Sequence, residues 1–392
     1  MLGRCALLLL MASLAMATPA LAQRRGGGPG GGGPGGGGDK IDHKGIQSPP
    51  IQMGTSGGNA TDIANGFCSS GTIGALLQDE AASPNYFMLS NSHVFAHDIT
   101  SGGNADTADI GDPIIQPGLV DVACNAANAQ SVGVLATFSS LVETVPGSTV
   151  LVSNVDASVA QVGLCGVGPC VQEDGAILGI GPISSSVINA LIGQNVKKSG
   201  RTTGVTTSTV DSLNATINVT YSDEANGGTF TRSFSGQIIL KNRRSKFLNS
   251  GDSGSLMVED TEGTPRPIGL LYAGSNTIAV ANPADHVLTY LNSGNTIHGI
   301  KTGSLSFVGA PVGGAAETQP AGMGRAIAAQ EANAVALSSV PRGVGHAVSS
   351  QNGIGIIKVL VEEITPEVRQ AAPTQIDGVP VVLEAVGTIV GF

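Results

Sequence analysis

An all-β barrel or sandwich is predicted, and three observations predict it. Short runs rich in Val, Ile, Thr and Ala recur along the middle of the chain, Gly, Asn, Asp and Ser turns separate them, and helical periodicity is scarce. The 392 residues include 57 Gly and only 13 aromatics (9 Phe, 4 Tyr, no Trp), with 41% hydrophobic and 12% charged. That much apolar surface with so little charge belongs to a folded chain, not a disordered one. The length allows two or three domains.

The elements follow in order. Arg4, an apolar stretch from Cys5 to Met16, and an Ala-Leu-Ala site at 20–22 read as a secretory signal peptide over residues 1–22. Residues 23–50 form a tether, because Gly26 to Gly38 is eleven glycines and two prolines, which supply nothing for a core. A barrel domain is expected over 51–300, with strands at Thr72–Leu77, Tyr86–Ser90, Ser131–Thr137, Ala157–Val162, Thr209–Tyr221, Arg232–Leu240, Ser255–Val258 and Ile268–Ala273. Ala284–Leu291 is its one clear helix. Residues 318–392 are expected to form a small α+β domain, with a helix at Met323–Leu337 and a short one at Thr365–Ala371 capped by Thr365. Its strands are expected at Gly343–Ser349, Ile354–Glu362 and Val379–Ile389.

Charge and cysteines narrow the function. A net charge of −10 gives no grip on phosphates, which argues against nucleic-acid partners. No apolar run beyond the leader is long enough for a membrane helix, so no membrane partner is expected after signal cleavage. Removing the leader leaves Cys68, Cys124, Cys165 and Cys170 in an oxidising compartment, secreted or periplasmic. Four cysteines allow three pairings; the short loop from Cys165 to Cys170 favours local pairing, which leaves Cys68 with Cys124.

The chemistry centres on Asn249-Ser250-Gly251-Asp252-Ser253-Gly254-Ser255. A serine hydroxyl is a weak nucleophile and needs a base to take its proton and N–H donors to hold the oxyanion. Glycines flanking the serine let the backbone turn sharply and aim the N–H groups of Gly251 and Ser253 into one hollow. A Gly/Asp/Ser turn alone would be ordinary in so glycine-rich a chain. Upstream, however, Leu89-Ser90-Asn91-Ser92-His93-Val94 places an imidazole just after a predicted strand, suited to act as general base. Asn154-Val155-Asp156-Ala157 places a carboxylate before another strand, suited to orient that imidazole. A lone His is more often a packed residue and a lone Asp a turn former; the three together point to nucleophilic catalysis.

The order His93, Asp156, Ser253 and these local contexts resemble chymotrypsin-like serine peptidases. Lys198-Ser199-Gly200-Arg201-Thr202-Thr203-Gly204 is similar to the strand opening the second barrel in the bacterial streptogrisin and α-lytic branch. Ile268–Ser275 is similar to the strand that, in the family, pairs with the substrate backbone and walls the specificity pocket. The Leu-Ser-Asn-Ser-His-Val and Val-Ala-Asn-Pro (280–283) patterns most resemble a trypsin-like bacterial group related to the plant narrow-leaf proteins. The resemblance implies two six-stranded antiparallel barrels with the active site in the cleft between them. It makes Ser253 the nucleophile, His93 the base and then acid, Asp156 the orienting carboxylate, and the amides of Gly251 and Ser253 the oxyanion hole. The expected activity is endopeptidase cleavage of a protein or peptide through an acyl-enzyme, with no cofactor; a catalytically silent binding module and an esterase are the alternatives.

Two departures from the family matter. No basic-then-Ile-Val-Gly-Gly site precedes the barrel, so activation by insertion of a new N-terminus is not expected. Phe247 stands where an Asp often floors the pocket. With Tyr272, Ala273, Gly274 and Ala279 as walls, such a pocket has no countercharge for Lys or Arg and suits small or apolar side chains. His97, four residues after His93, reads as a loop residue, and His43, His286, His298 and His346 share no metal-site spacing. The basic cluster Lys241, Arg243, Arg244 and Lys246 reads as a solvated turn, and Gly200–Gly204 lacks the ending of a P-loop.

Overall fold

The computed structural model describes residues 41–64, 67–96, 108–141, 154–223, 228–293, 297, 301–314 and 318–391. The expected signal peptide, the glycine run of the tether, His97 and His298 lie outside them.

Two antiparallel barrels form the core of the described chain. The first uses β1 (Thr55–Asn59), β2 (Gly71–Ile73), β3 (Ala75–Gln78), β4 (Tyr86–Ser90), β5 (Pro113–Gln116), β6 (Gln130–Phe138) and β7 (Ser158–Val162). The strand expected over Thr72–Leu77 is broken at Gly74 into β2 and β3. That break closes the barrel: β2 pairs with β1, β3 pairs with β4, and the ladder runs on through β7, β6 and β5 back to β1. Counting β2 and β3 as one bent strand gives six staves.

The second barrel uses β8 (Asn195–Gly200), β9 (Gly204–Asp223), β10 (Gly228–Lys241), β11 (Leu256–Glu259), β12 (Pro267–Gly274) and β13 (Ile278–Pro283). Its six strands close in the order β8-β11-β12-β13-β10-β9-β8, so the expected double barrel is present. Its core packs Val196, Val210, Leu240, Phe247, Met257 and Leu271 among others. The long β9–β10 hairpin extends beyond the barrel. The chain then forms a helix, α2 (Ala284–Asn292), whose Val287 and Leu291 pack into the first barrel's core. α1 is only one turn, Ser92–Phe95.

The C-terminal segment adds α3 (Met323–Ala332), α4 (Ala334–Ser338), β14 (Gly343–Gln351), β15 (Ile354–Val361), α5 (Pro366–Ala371), β16 (Val379–Ala385) and β17 (Val390–Gly391). β14 pairs antiparallel with β9, so this α+β segment continues the second barrel's sheet. The expected helix over Met323–Leu337 is broken at Asn333, whose non-helical backbone separates α3 from α4. Thr365 caps α5 as expected, its Oγ1 accepting from the Val368 N–H at 3.2 Å. The strand expected over Val379–Ile389 is overturned: it ends at Ala385, the chain turns through Gly387 at φ +72°, and only Val390–Gly391 extends again elsewhere.

Both disulfides pair as the short-loop argument expects, Cys68 with Cys124 and Cys165 with Cys170. Among the described residues no helix is long and apolar enough to cross a membrane.

Candidate active site

β4 delivers His93. Its last residue, Ser90, is followed by Asn91 and the single turn α1, so His93 projects from the first turn after a buried strand. A helical turn leaves its first N–H groups without partners. Here Oδ1 of Asp156 accepts the Ser92 N–H at 2.7 Å and the His93 N–H at 3.3 Å. Asn91 Nδ2 donates to the Asp156 carbonyl at 2.7 Å, and Ser158 Oγ donates to the Asn91 carbonyl at 2.7 Å. The two segments are thereby stitched together before any side-chain chemistry is considered.

Oδ2 of Asp156 faces the imidazole, accepting from His93 Nδ1 at 2.6 Å. The same oxygen accepts from Tyr221 Oη at 2.9 Å. Asp156 is fully buried, and these donors satisfy both carboxylate oxygens. An ionised carboxylate only accepts, so His93 Nδ1 carries its hydrogen and Nε2 is the basic atom of the ring. Burial first, and then the charge of Asp156, pushes the Tyr221 and Tyr272 phenols well above their ordinary value, so Tyr221 stays a donor. Asn282 completes the setting from the second barrel. Its Oδ1 accepts the Asp156 N–H and its Nδ2 donates to the Asp156 carbonyl, each at 3.2 Å. That is the physical use of the Val-Ala-Asn-Pro pattern.

The serine loop lies against the first barrel. The Thr72 N–H donates to the Ser253 carbonyl at 2.8 Å, and Thr72 Oγ1 donates to the Gly251 carbonyl at 3.0 Å. Between them sits Gly71: a Cβ there would fall 2.5 Å from Val94 Cγ2 and 3.0 Å from the Ser253 carbonyl oxygen. Only a glycine lets the residue after His93 and the backbone of Ser253 approach this closely. Gly254, at φ +89°, has the same reason to lack a side chain, since a Cβ would meet Ser90 Oγ and the Thr72 carbonyl. Ser253 itself is buried, and its Oγ donates to the Tyr272 carbonyl at 3.1 Å. Among the described residues, no acceptor takes the N–H of Gly251 or of Ser253.

Asp252 fixes that loop. Its Oδ1 accepts the N–H groups of Thr202 at 2.9 Å and Thr203 at 3.0 Å, and its Oδ2 accepts the Asn249 N–H at 2.9 Å and the Thr203 hydroxyl at 2.7 Å. Lys198 Nζ lies 3.4 Å from Oδ2, both side chains fully buried. Lys198 Nζ also donates to Thr203 Oγ1 and, at 3.0 Å, to the Gly204 carbonyl. Burial pushes the Lys198 ammonium down, with the Asp252 carboxylate opposing. The countercharge for the aspartate preceding the serine is therefore internal, a lysine of β8. Arg201 ties this corner to the first barrel, gripping Asp121 through Nε at 2.6 Å and Nη2 at 2.7 Å.

The expected pocket residues fall into two neighbouring cores. Phe247 (3% exposed) and Ala279 (0%) pack together in the second barrel, while Tyr272 and Ala273 belong to a separate cluster with Tyr221 and Phe234. Gly274 ends β12 beside Ala273. Among the other histidines, His43 is buried with Nδ1 at 2.8 Å from the Gly54 carbonyl, His286 is exposed, and His346 is buried beside Gln330. Arg243, Arg244 and Lys246 are exposed on a short turn, as the solvated reading expects. Sequence reasoning does not mark Tyr221, Lys198 and Asn282 as site residues. The only local signal for Lys198 is the Lys-Ser-Gly-Arg-Thr-Thr-Gly stretch, and Tyr221 gives none.

Comparison with known proteins agrees with the resemblance to narrow-leaf proteins. The family model for the Nal1 C-terminal domain matches residues 148–282, which include Asp156 and Ser253. Among solved structures, Thermobifida fusca protease A is 15% identical with a TM-score of 0.35, covering 66% of this chain and 98% of its own. Nocardiopsis protease is 16% identical with a TM-score of 0.34, covering 63% of this chain and 97% of its own. Cellulomonas bogoriensis chymotrypsin is 17% identical with a TM-score of 0.34, covering 61% of this chain and 94% of its own. No curated protein matches the chain.

Proposed function

We propose that this protein is a secreted or periplasmic serine endopeptidase that uses His93, Asp156 and Ser253. The observation that carries the reading is the Asp156 carboxylate: fully buried, it receives His93 Nδ1 at 2.6 Å and leaves Nε2 as the base. In the reaction Ser253 Oγ gives up its bond to the Tyr272 carbonyl, passes its proton to His93 Nε2 and attacks the scissile carbonyl. The N–H groups of Gly251 and Ser253 receive the oxyanion. His93 returns the proton to the leaving amine, and water then cleaves the acyl-enzyme by the same route. Asp156 stabilises the imidazolium between the steps. Nothing in this sequence of steps requires a cofactor.

The barrels over 51–300 carry the chemistry, and residues 318–392 are the appended α+β domain. The two disulfides suit an oxidising compartment, in keeping with a leader over residues 1–22. Phe247, Gly274 and Ala279 offer no charge to a cationic side chain, so small or apolar residues are preferred before the scissile bond.

The test is labelling by an organophosphonate and hydrolysis of a panel of peptide and ester substrates. Ser253→Ala is expected to abolish labelling and to lower hydrolysis by about 10⁴-fold or more with the fold unchanged. Labelling that persists in Ser253→Ala removes the assignment, and turnover of esters alone replaces it with an esterase.

A further inference from the structure

The end of the described chain runs along the edge of β12, beside the candidate site. After Ala385 the backbone turns back, the Val386 N–H donating to the Val361 carbonyl at 2.9 Å and Thr277 Oγ1 donating to the Val386 carbonyl at 3.3 Å. It then extends as β17 between two strands of the second sheet. Thr220 N–H donates to the Ile389 carbonyl at 2.9 Å, and Val390 lies opposite Thr220 in a parallel pairing with β9. On its other side β17 runs antiparallel to β12, with Gly391 opposite Ala273 and Val390 opposite Gly274. Val386 and Ile389 are 2% and 0% exposed, packed with Tyr221, Phe234 and Tyr272.

β12 is the strand that resembles the substrate-pairing strand, and its Tyr272 carbonyl already receives the Ser253 hydroxyl. The edge from Ala273 to Gly274 thus starts at the nucleophile, and β17 occupies it. Gly391 brings the segment up to the site: a Cβ on it would fall 2.5 Å from Tyr221 Cε1. Tyr221 in turn holds Asp156, and its ring centroid lies 5.7 Å from that of His93.

We propose that residues 386–391 are a tethered, substrate-like strand that closes the cleft in cis; this rests on the hydrolase reading. A tethered segment competes at an effective concentration in the millimolar range, well above most free peptides. The segment also describes the substrate class. A peptide that displaces it meets the same surfaces, so it must be extended, carry an apolar residue where Ile389 is buried, and place glycine against the Tyr221 ring. Any larger side chain there collides.

The full chain, Gly391→Val and a chain lacking 386–392 are compared by rate of labelling with an apolar tripeptidyl phosphonate, circular dichroism monitoring the fold. Gly391→Val keeps the apolar anchors and drives a side chain towards the Tyr221 ring, which supplies the atoms nearest a Cβ there, and it guards against a deletion that fails to fold. Labelling is expected to rise about 10-fold or more in both variants. Equal rates in folded proteins overturn the proposal. Independently, a fluorescent peptide of residues 386–392 is titrated into the shortened chain carrying Ser253→Ala, read by anisotropy. Saturable binding supports the tethered strand and no binding overturns it. Because that titration needs no catalysis, peptide binding with no labelling in any chain defeats the hydrolase reading alone.

Discussion

The two barrels are held together by different means. The first carries both disulfides, Cys68–Cys124 and Cys165–Cys170, and supplies His93 and Asp156 on backbone already stitched by hydrogen bonds. The second has no cysteine and supplies Ser253 on a loop held by the buried Asp252, which accepts four hydrogen bonds from the loop and its neighbours and pairs with Lys198. His93 and Asp156 therefore sit on a covalently stapled frame, while Ser253 sits on a turn set by the buried Asp252. Failure of the second arrangement takes the loop with it; failure of the first loosens the whole barrel.

Lys198→Met probes the sharper side of this contrast. It leaves the Asp252 carboxylate buried without its countercharge, and a loss of about 3–5 kcal/mol in denaturant unfolding is expected. Adding Asp252→Asn is expected to recover part of it, because the uncompensated charge is gone. A single variant as stable as the parent would show that the loop is set by its hydrogen bonds alone. The staples come next. Replacing Cys68 and Cys124 by serine opens a 56-residue separation and should cost roughly 4 kcal/mol by loop entropy. The Cys165–Cys170 pair, five residues apart, should cost roughly 2 kcal/mol, so the melting temperatures of the two double variants separate. Equal losses would mean that the bridges act through native packing instead.

The smallest effect is a pH dependence in the second barrel. Hydrogen bonds from Arg266, at 2.7 and 2.6 Å, hold the Glu259 carboxyl below its ordinary 4.5. A lowered folded value means that its contribution is complete above pH 4.5 and is lost as pH falls through the lowered value. Glu259→Gln should therefore flatten the acid limb of melting temperature against pH while changing the unfolding free energy by under about 1 kcal/mol at pH 7. Parallel acid limbs would remove Glu259 from the account.

Legibility in the sequence followed locality. Tyr86–Ser90 is a short apolar run between turn residues, Ser83-Pro84-Asn85 before it and Asn91 after, and is a strand over those same residues. The stretches around His93, Asp156 and Ser253 stand out because the proposed nucleophilic chemistry needs those residue types, and the fold brings His93 and Asp156 into contact. In the sequence Tyr221 is only the end of a β-rich run; its bond to Asp156 spans 65 residues and leaves no local pattern. The strand expected to run through Ile389 shows the same limit. Val-Gly-Thr-Ile-Val favours extension, and only the tertiary partners of β17 decide where that extension pairs.

The pairing of β14 with β9 carries a practical consequence. A sheet edge with unpaired N–H and C=O groups invites association with other chains. Removing residues 318–392 wholesale strips β9 of this cover along Leu213–Ile217 and bares Ala347-facing apolar surface, so such a fragment is expected to self-associate. Shortening designs should stop after Ala385, where the capping hairpin is kept whole.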